Sequence, residues 1–139
     1  MGSIDQNAPA SKARLWAGRI TSALPILFLL MDGVMKLLKP TPVVEATVRL
    51  GYPESTILGM GIVLLICTVI YIIPRTCILG AILLTGYLGG AVATHVRVGE
   101  GPFPVLFPVV FGVLIWLGLY LRDDRLAALV PLRNGGNQS

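Results

Sequence analysis

The chain has 139 residues, of which 55% are hydrophobic and 13% charged, roughly half the charged share of an average soluble domain. With mean hydropathy of +0.81, so short a chain cannot hide its apolar surface in its own interior, which excludes an ordinary soluble enzyme, a disordered chain and a disulfide scaffold. The net charge of +4 does not point to nucleic acid, because the basic residues stand at the ends of apolar segments, where they signal membrane orientation.

Residues 1–15 are polar and rich in small side chains, and read as a flexible tail. Gly2 opens a myristoylation-like stretch, but Gln6 stands where that signal needs Ser or Thr. The polar lead-in also does not suit a cleavable signal peptide. The first span is expected at about 16–38. It holds Pro25 and is interrupted by Asp32 and Lys36. Pro40 and Pro42 end it. Thr41 can then cap a short amphipathic helix with Pro42 at its first position. Val43, Val44, Thr47, Val48 and Leu50 form its apolar stripe, and Glu45 and Arg49 sit at i,i+4 on the polar side. Such a helix is expected to lie at the membrane interface.

Uncharged runs place the second span at 57–73, the third at 76–98 and the fourth at 103–121. The third carries the only histidine, His95, with Arg97 beside it. A C-terminal tail is expected over 126–139, and its Asn137 sequon is discounted for its terminal position. The expected fold is therefore all-α: a polytopic membrane four-helix bundle over 16–125, with an interfacial helix between spans one and two. Lys12, Arg14, Arg19, Arg75, Arg122, Arg125 and Arg133 on one side outnumber Lys36, Lys39, Arg49 and Arg97 on the other. That bias predicts both termini in the cytoplasm.

Spans one and three run in the same direction, so Asp32, Lys36, Thr94, His95 and Arg97 fall toward one leaflet. Helical rise puts Asp32 about 9 Å and His95 about 5 Å inside their span ends. A charge at mid-span costs about 2.5–3.5 kcal/mol on insertion scales, so such groups face the bundle interior or a wet cavity. Asp32 and Lys36 share a face at i,i+4 and read either as a structural ion pair or as an acid–base site. His95 reads either as a satisfied helix-end histidine or as a proton partner for Asp32. Tyr52 can serve as a loop anchor or lid, Tyr87 as a packing group or pocket wall. Cys67 and Cys77 lie at different depths, which disfavours a disulfide, and no metal-ligand spacing occurs. Ala81, Thr85, Gly89 and Ala93 recur every four residues, as do Gly86, Gly90 and Thr94. This doubled small-residue pattern lets helices approach closely, so Gly86, Gly89 and Gly90 offer a face to a protein partner or a second copy.

The segments Gly33-Val34-Met35-Lys36-Leu37, Leu50-Gly51-Tyr52-Pro53-Glu54, Ile73-Pro74-Arg75 with Leu79-Gly80-Ala81, and Gly89-Gly90-Ala91-Val92-Ala93-Thr94-His95 with Arg97 occur in order. Together they resemble the DoxX-like family of small four-span membrane proteins, over about residues 16–121. The resemblance implies a four-helix membrane bundle. It also implies a functional range from subunits of quinone-linked or other membrane redox complexes to assembly chaperones, and it admits a quinone as cofactor. It implies no catalytic residue.

Two functions are carried forward. One is an accessory subunit or assembly factor of a membrane-associated, redox-type system. The other is a small membrane enzyme that isomerises, cyclises or opens an epoxide in a lipophilic metabolite. In that case Asp32 and His95 are the catalytic candidates, with Lys36, Tyr52, Tyr87, Thr94 and Arg97 binding the ligand.

Overall fold

The computed structural model describes residues 11–129. The tail readings for 1–10 and 130–139, the Asn137 sequon included, lie outside them. Helix α1 spans Lys12–Leu38. Ser11 caps it, its hydroxyl accepting from the Arg14 amide at 3.2 Å, which satisfies one of the helix's orphan donors. Residues 12–15, expected in the tail, thus form its first turn. Its 27 residues extend about 40 Å, longer than a hydrocarbon core of about 30 Å. Lys39 ends it in the left-handed region (φ 51°), and Pro40 prevents further helix.

Helix α2, Thr41–Arg49, follows. Pro42 lies in its first turn as expected. The cap position, however, is Pro40 rather than Thr41, with no side-chain cap bond. A single 3-10 turn, Glu54–Thr56, leads into α3, Ile57–Ile72. Helix α4 covers Cys77–Val98 and stops at Gly99 (φ 78°), whose amide reaches back to the His95 and Val96 carbonyls. Helix α5 covers Pro102–Arg122. A short α6, Asp124–Leu129, occupies part of the expected C-terminal tail; Asp123 Oδ1 accepts from the amides of Arg125 and Leu126 at its start.

Helices α1, α4 and α5, and α3 together with the 3-10 turn before it (Glu54–Ile72), are long and apolar enough to cross a membrane. They pack as a ring in which α1 touches α3 and α5, and α4 touches α3 and α5. Neighbours are antiparallel, as short connections require, so α1 and α4 stand diagonally across the bundle. We call the end where α1 begins and α5 ends the base, and the opposite end, where α2 and its loop join α1 to α3, the crown.

Leu29, Leu64, Tyr71, Ala81, Leu84, Ile115 and Leu119 form the core. Large apolar side chains also point outward: Leu27 is 66% exposed and Val113 59%. That pattern suits a protein whose outer solvent is hydrocarbon.

Near the base, Tyr71 is fully buried. Its hydroxyl donates to the Ile115 carbonyl at 2.9 Å and meets Ser22 Oγ at 3.0 Å. The tyrosine proton is used on the carbonyl, so Ser22 donates. One hydroxyl thereby ties α1, α3 and α5. Glycines permit this convergence. A Cβ on Gly80 would lie 2.2 Å from the Tyr71 nitrogen, and one on Gly118 would lie 2.0 Å from Ser22 Oγ.

Candidate functional site

The polar residues singled out in the sequence do gather at the crown, in three separate sets. Lys36 Nζ donates to Asp32 Oδ2 at 2.5 Å, with the lysine side chain 12% exposed and the aspartate 33%. The i,i+4 spacing puts them on one face. Helix packing then fixes the lysine stem: a Cβ on Gly61 of α3 would lie 2.8 Å from Lys36 Cβ and 3.0 Å from the Gly33 carbonyl. Two facing glycines thus bring α3 onto the lysine.

In the second set, the chain after α2 folds over the end of α4. Thr94 Oγ1 donates to the Gly90 carbonyl at 2.8 Å. Its proton is therefore spent, and the Tyr52 hydroxyl is the donor in the 2.7 Å bond to Thr94 Oγ1. Arg97 Nη2 donates to the Leu50 carbonyl at 2.8 Å. Gly51 lies between these two anchors at φ +92°, and a Cβ there would come within 3.1 Å of Arg97 Nη2. Glycine meets both demands, positive φ and close approach.

In the third set, His95 Nδ1 is hydrogen-bonded to a Glu100 carboxylate oxygen. Gly99 terminates α4 and the Glu100 amide bonds the His95 carbonyl at 3.2 Å, so the chain reverses and returns the carboxylate to the ring. Glu100 is not among the candidates that the sequence singles out. The available signal was an acid five residues beyond the histidine across a terminating glycine.

Tyr87 lies deeper on α4, half-buried and packed against the hydrophobic core. His95 takes Glu100 as its partner and Asp32 takes Lys36. The two catalytic candidates are therefore each engaged locally rather than with each other. Both cysteines are buried and free. Among the described residues no cluster of three His, Cys, Asp or Glu side chains could hold a metal.

Cavities also lie away from the crown. A groove of about 560 Å³ runs along the outside of the α4–α5 junction, lined by Thr85, Leu88, Gly89, Pro108, Gly112 and Trp116 among others, and it ends at Tyr120. Trp116 Nε1 donates to Thr85 Oγ1 at 2.7 Å across it. At the base a smaller cavity lies between Pro74, Cys77 and Arg122. There the Arg122 guanidinium sits 5.4 Å over the Tyr71 ring.

Residues 20–118 match the profile of the DoxX-like family. No curated protein and no solved structure matches the chain.

Proposed function

The chain belongs to the DoxX-like family, and from that premise we propose that it serves as a non-catalytic accessory subunit or assembly factor of a membrane-associated system. It would do so by presenting one face of α4 to a partner's transmembrane helix. One observation carries this reading. The glycines of α4 divide into two kinds: Gly80 is pressed against Tyr71, whereas a Cβ on Gly86, Gly89 or Gly90 would meet nothing within 4 Å. Glycine inside a helix costs about 1 kcal/mol relative to alanine. The chain's own packing requires Gly80 and does not require the other three. Small residues on a lipid-facing stripe are the usual means of bringing two membrane helices close.

The polar crown fits the same reading. Its charges are committed to local partners, as structural groups in a membrane protein must be. The experiment is extraction in mild detergent followed by a mass measurement of the complex. Wild type is expected to remain with a partner protein. Gly86→Leu and Gly90→Leu should release it while the chain inserts and folds normally. Retention of the partner by both variants, or a wild-type chain that runs alone, rejects the reading.

A second reading is an enzyme acting by proton transfer on a lipophilic metabolite, possessing Asp32 as acid or base and His95 as proton partner. What favours it is that both candidates stand toward the crown end of the bundle, Asp32 on α1 beside Lys36 and His95 on α4 beside Glu100. Lipid-extract profiling of membranes bearing wild type, Asp32→Asn or His95→Ala tests it. A metabolite pair whose ratio follows the wild type and is lost in both variants supports it, and unchanged profiles sink it. A quinone finds little to hold its ring in the α4–α5 groove, because its two carbonyl oxygens need donors and the Thr85–Trp116 pair already spends its donors internally.

A further inference from the structure

We infer that the cavity at the base holds the head group of a phosphatidylethanolamine lipid, its phosphate on Arg122 and its ammonium on Asp123. The starting point is a charge without a partner. Arg122 ends α5, where an arginine ordinarily extends its guanidinium to water or head groups. Here the side chain lies against the bundle instead. Its stem packs on α1, since a Cβ on Gly18 would lie 3.1 Å from Arg122 Cβ, and its guanidinium sits 5.4 Å over the Tyr71 ring. Among the described residues, Nε and Nη2 are shut off from solvent and find no hydrogen-bond acceptor. The ring face offsets part of that cost, but a desolvated charge without a counter-charge stays expensive. Nη1 is not shut off in this way, and it is the nitrogen through which a ligand in the cavity reaches the charge.

The chain does not supply the counter-charge, although Asp123 follows Arg122 directly. Extended backbone at Asp123 (φ −123°, ψ 105°) turns its carboxylate toward α6, where Oδ1 accepts from the Arg125 and Leu126 amides at 2.9 and 3.3 Å. Asp124 is held by Arg14 at 3.2 Å. Arg122, Asp123, Asp124 and Arg125 nevertheless line one cavity of about 350 Å³, with Pro74 and Cys77 in its apolar wall. The cavity thus presents opposite charges that do not satisfy each other. As many acids as bases line it, so a simple anion gains no net attraction, whereas a zwitterion is attracted at both ends. Phosphate oxygens suit the guanidinium. A primary ammonium brings three N–H donors to carboxylate oxygens, and Asp123 Oδ2 is bonded to no described residue. A choline head group has no N–H to give. Pro74 lies in the α3–α4 connection and Arg122 at the end of α5, so the cavity sits at the level where the spans meet head groups. Its volume is that of a small-ligand site, about 300–1,000 Å³.

The full chain in detergent is offered an equimolar mixture of phosphatidylethanolamine, phosphatidylglycerol and phosphatidylcholine with identical acyl chains, and bound lipid is read by native mass spectrometry. The wild type is expected to retain one lipid per chain, with phosphatidylethanolamine favoured about tenfold or more over the other two. Asp123→Asn keeps the oxygen that accepts from the α6 amides and removes the charge. It should bring phosphatidylethanolamine and phosphatidylglycerol to within about twofold of each other. Arg122→Gln should lose the retained lipid. Because Arg122→Gln also removes packing on Tyr71, thermal unfolding of the wild type with each lipid gives a check that depends on no variant: phosphatidylethanolamine should raise the Tm more than either of the others. Equal retention of the three lipids, a preference for phosphatidylglycerol, or an unchanged preference in Asp123→Asn overturns the proposal. Displacement of the lipid by millimolar inorganic phosphate marks a simple anion site and overturns it as well. Gly86, Gly89 and Gly90 do not line this cavity, so loss of a protein partner in their variants is separable from loss of the lipid.

Discussion

Gly118 of α5 and Ser22 of α1 approach so closely that a Cβ on the glycine would lie 2.0 Å from the serine Oγ. This contact holds Ser22 where its hydroxyl can meet that of Tyr71. Gly118→Ala is expected to destabilise the bundle by about 1–3 kcal/mol, the usual cost of forcing an extra group into a packed core. Gly80→Ala should cost at least as much, because it would collide with backbone rather than with a movable side chain. Gly86→Ala and Gly90→Ala, placed in open space, should each stabilise the isolated chain by about 0.5–1 kcal/mol. Thermal unfolding of the four variants in one detergent measures the contrast in sign.

Tyr71→Phe removes the hydroxyl that joins α1, α3 and α5, and leaves Ser22 Oγ without its acceptor. A loss of about 1–2 kcal/mol is expected for membrane-buried hydrogen bonds of this kind. Ser22→Ala should cost less, because the bond from Tyr71 to the Ile115 carbonyl survives it. Equal losses in chemical denaturation would contradict the donor assignment.

The Asp32–Lys36 pair is predicted to be structural. Asp32→Asn leaves a largely buried ammonium without its counter-charge, whereas Asp32→Asn combined with Lys36→Met removes both charges. The double variant should unfold at a higher temperature than the single one, because an unpaired buried charge costs more than an absent pair. A double variant less stable than Asp32→Asn would show that Lys36 has a second partner.

The crown loop is predicted to depend on two side chains. Tyr52→Phe removes the bond to Thr94, and Arg97→Leu removes the bond to the Leu50 carbonyl. Hydrogen exchange should quicken over residues 50–56 in both variants and stay slow in α3 and α4. Faster exchange along the length of α4 would mean that these residues support the span itself.

Much of the fold was legible because membrane spans announce themselves by length and apolarity, and the four do so here. The Asp32–Lys36 pair was legible because i,i+4 geometry belongs to one helix. Contacts that depend on how helices register against each other were not. The small-residue repeat of α4 was visible, but not that Gly80 and Ala81 turn inward while Gly86, Gly89 and Gly90 turn outward. Tyr71 and Trp116 stand within apolar runs. Their polar bonds to Ser22, Ile115 and Thr85 come from other helices and leave no local pattern. His95 was expected opposite Asp32, but a left-handed glycine at position 99 brings Glu100 to it first. The start of α1 was placed late because Lys12 and Arg14 are polar, and the Ser11 cap that begins the helix lies outside the apolar run.

The outward face of α4 bears the central claim, and site-specific photo-crosslinking reads it most directly. A photoreactive residue is placed at position 89, and in a separate protein at position 27 on the lipid-facing side of α1. Irradiation of native membranes is predicted to give one discrete adduct with a different protein at position 89, and none at position 27. Lipid adducts alone at both positions, or an adduct at position 89 with a second copy of the same chain, would contradict the account.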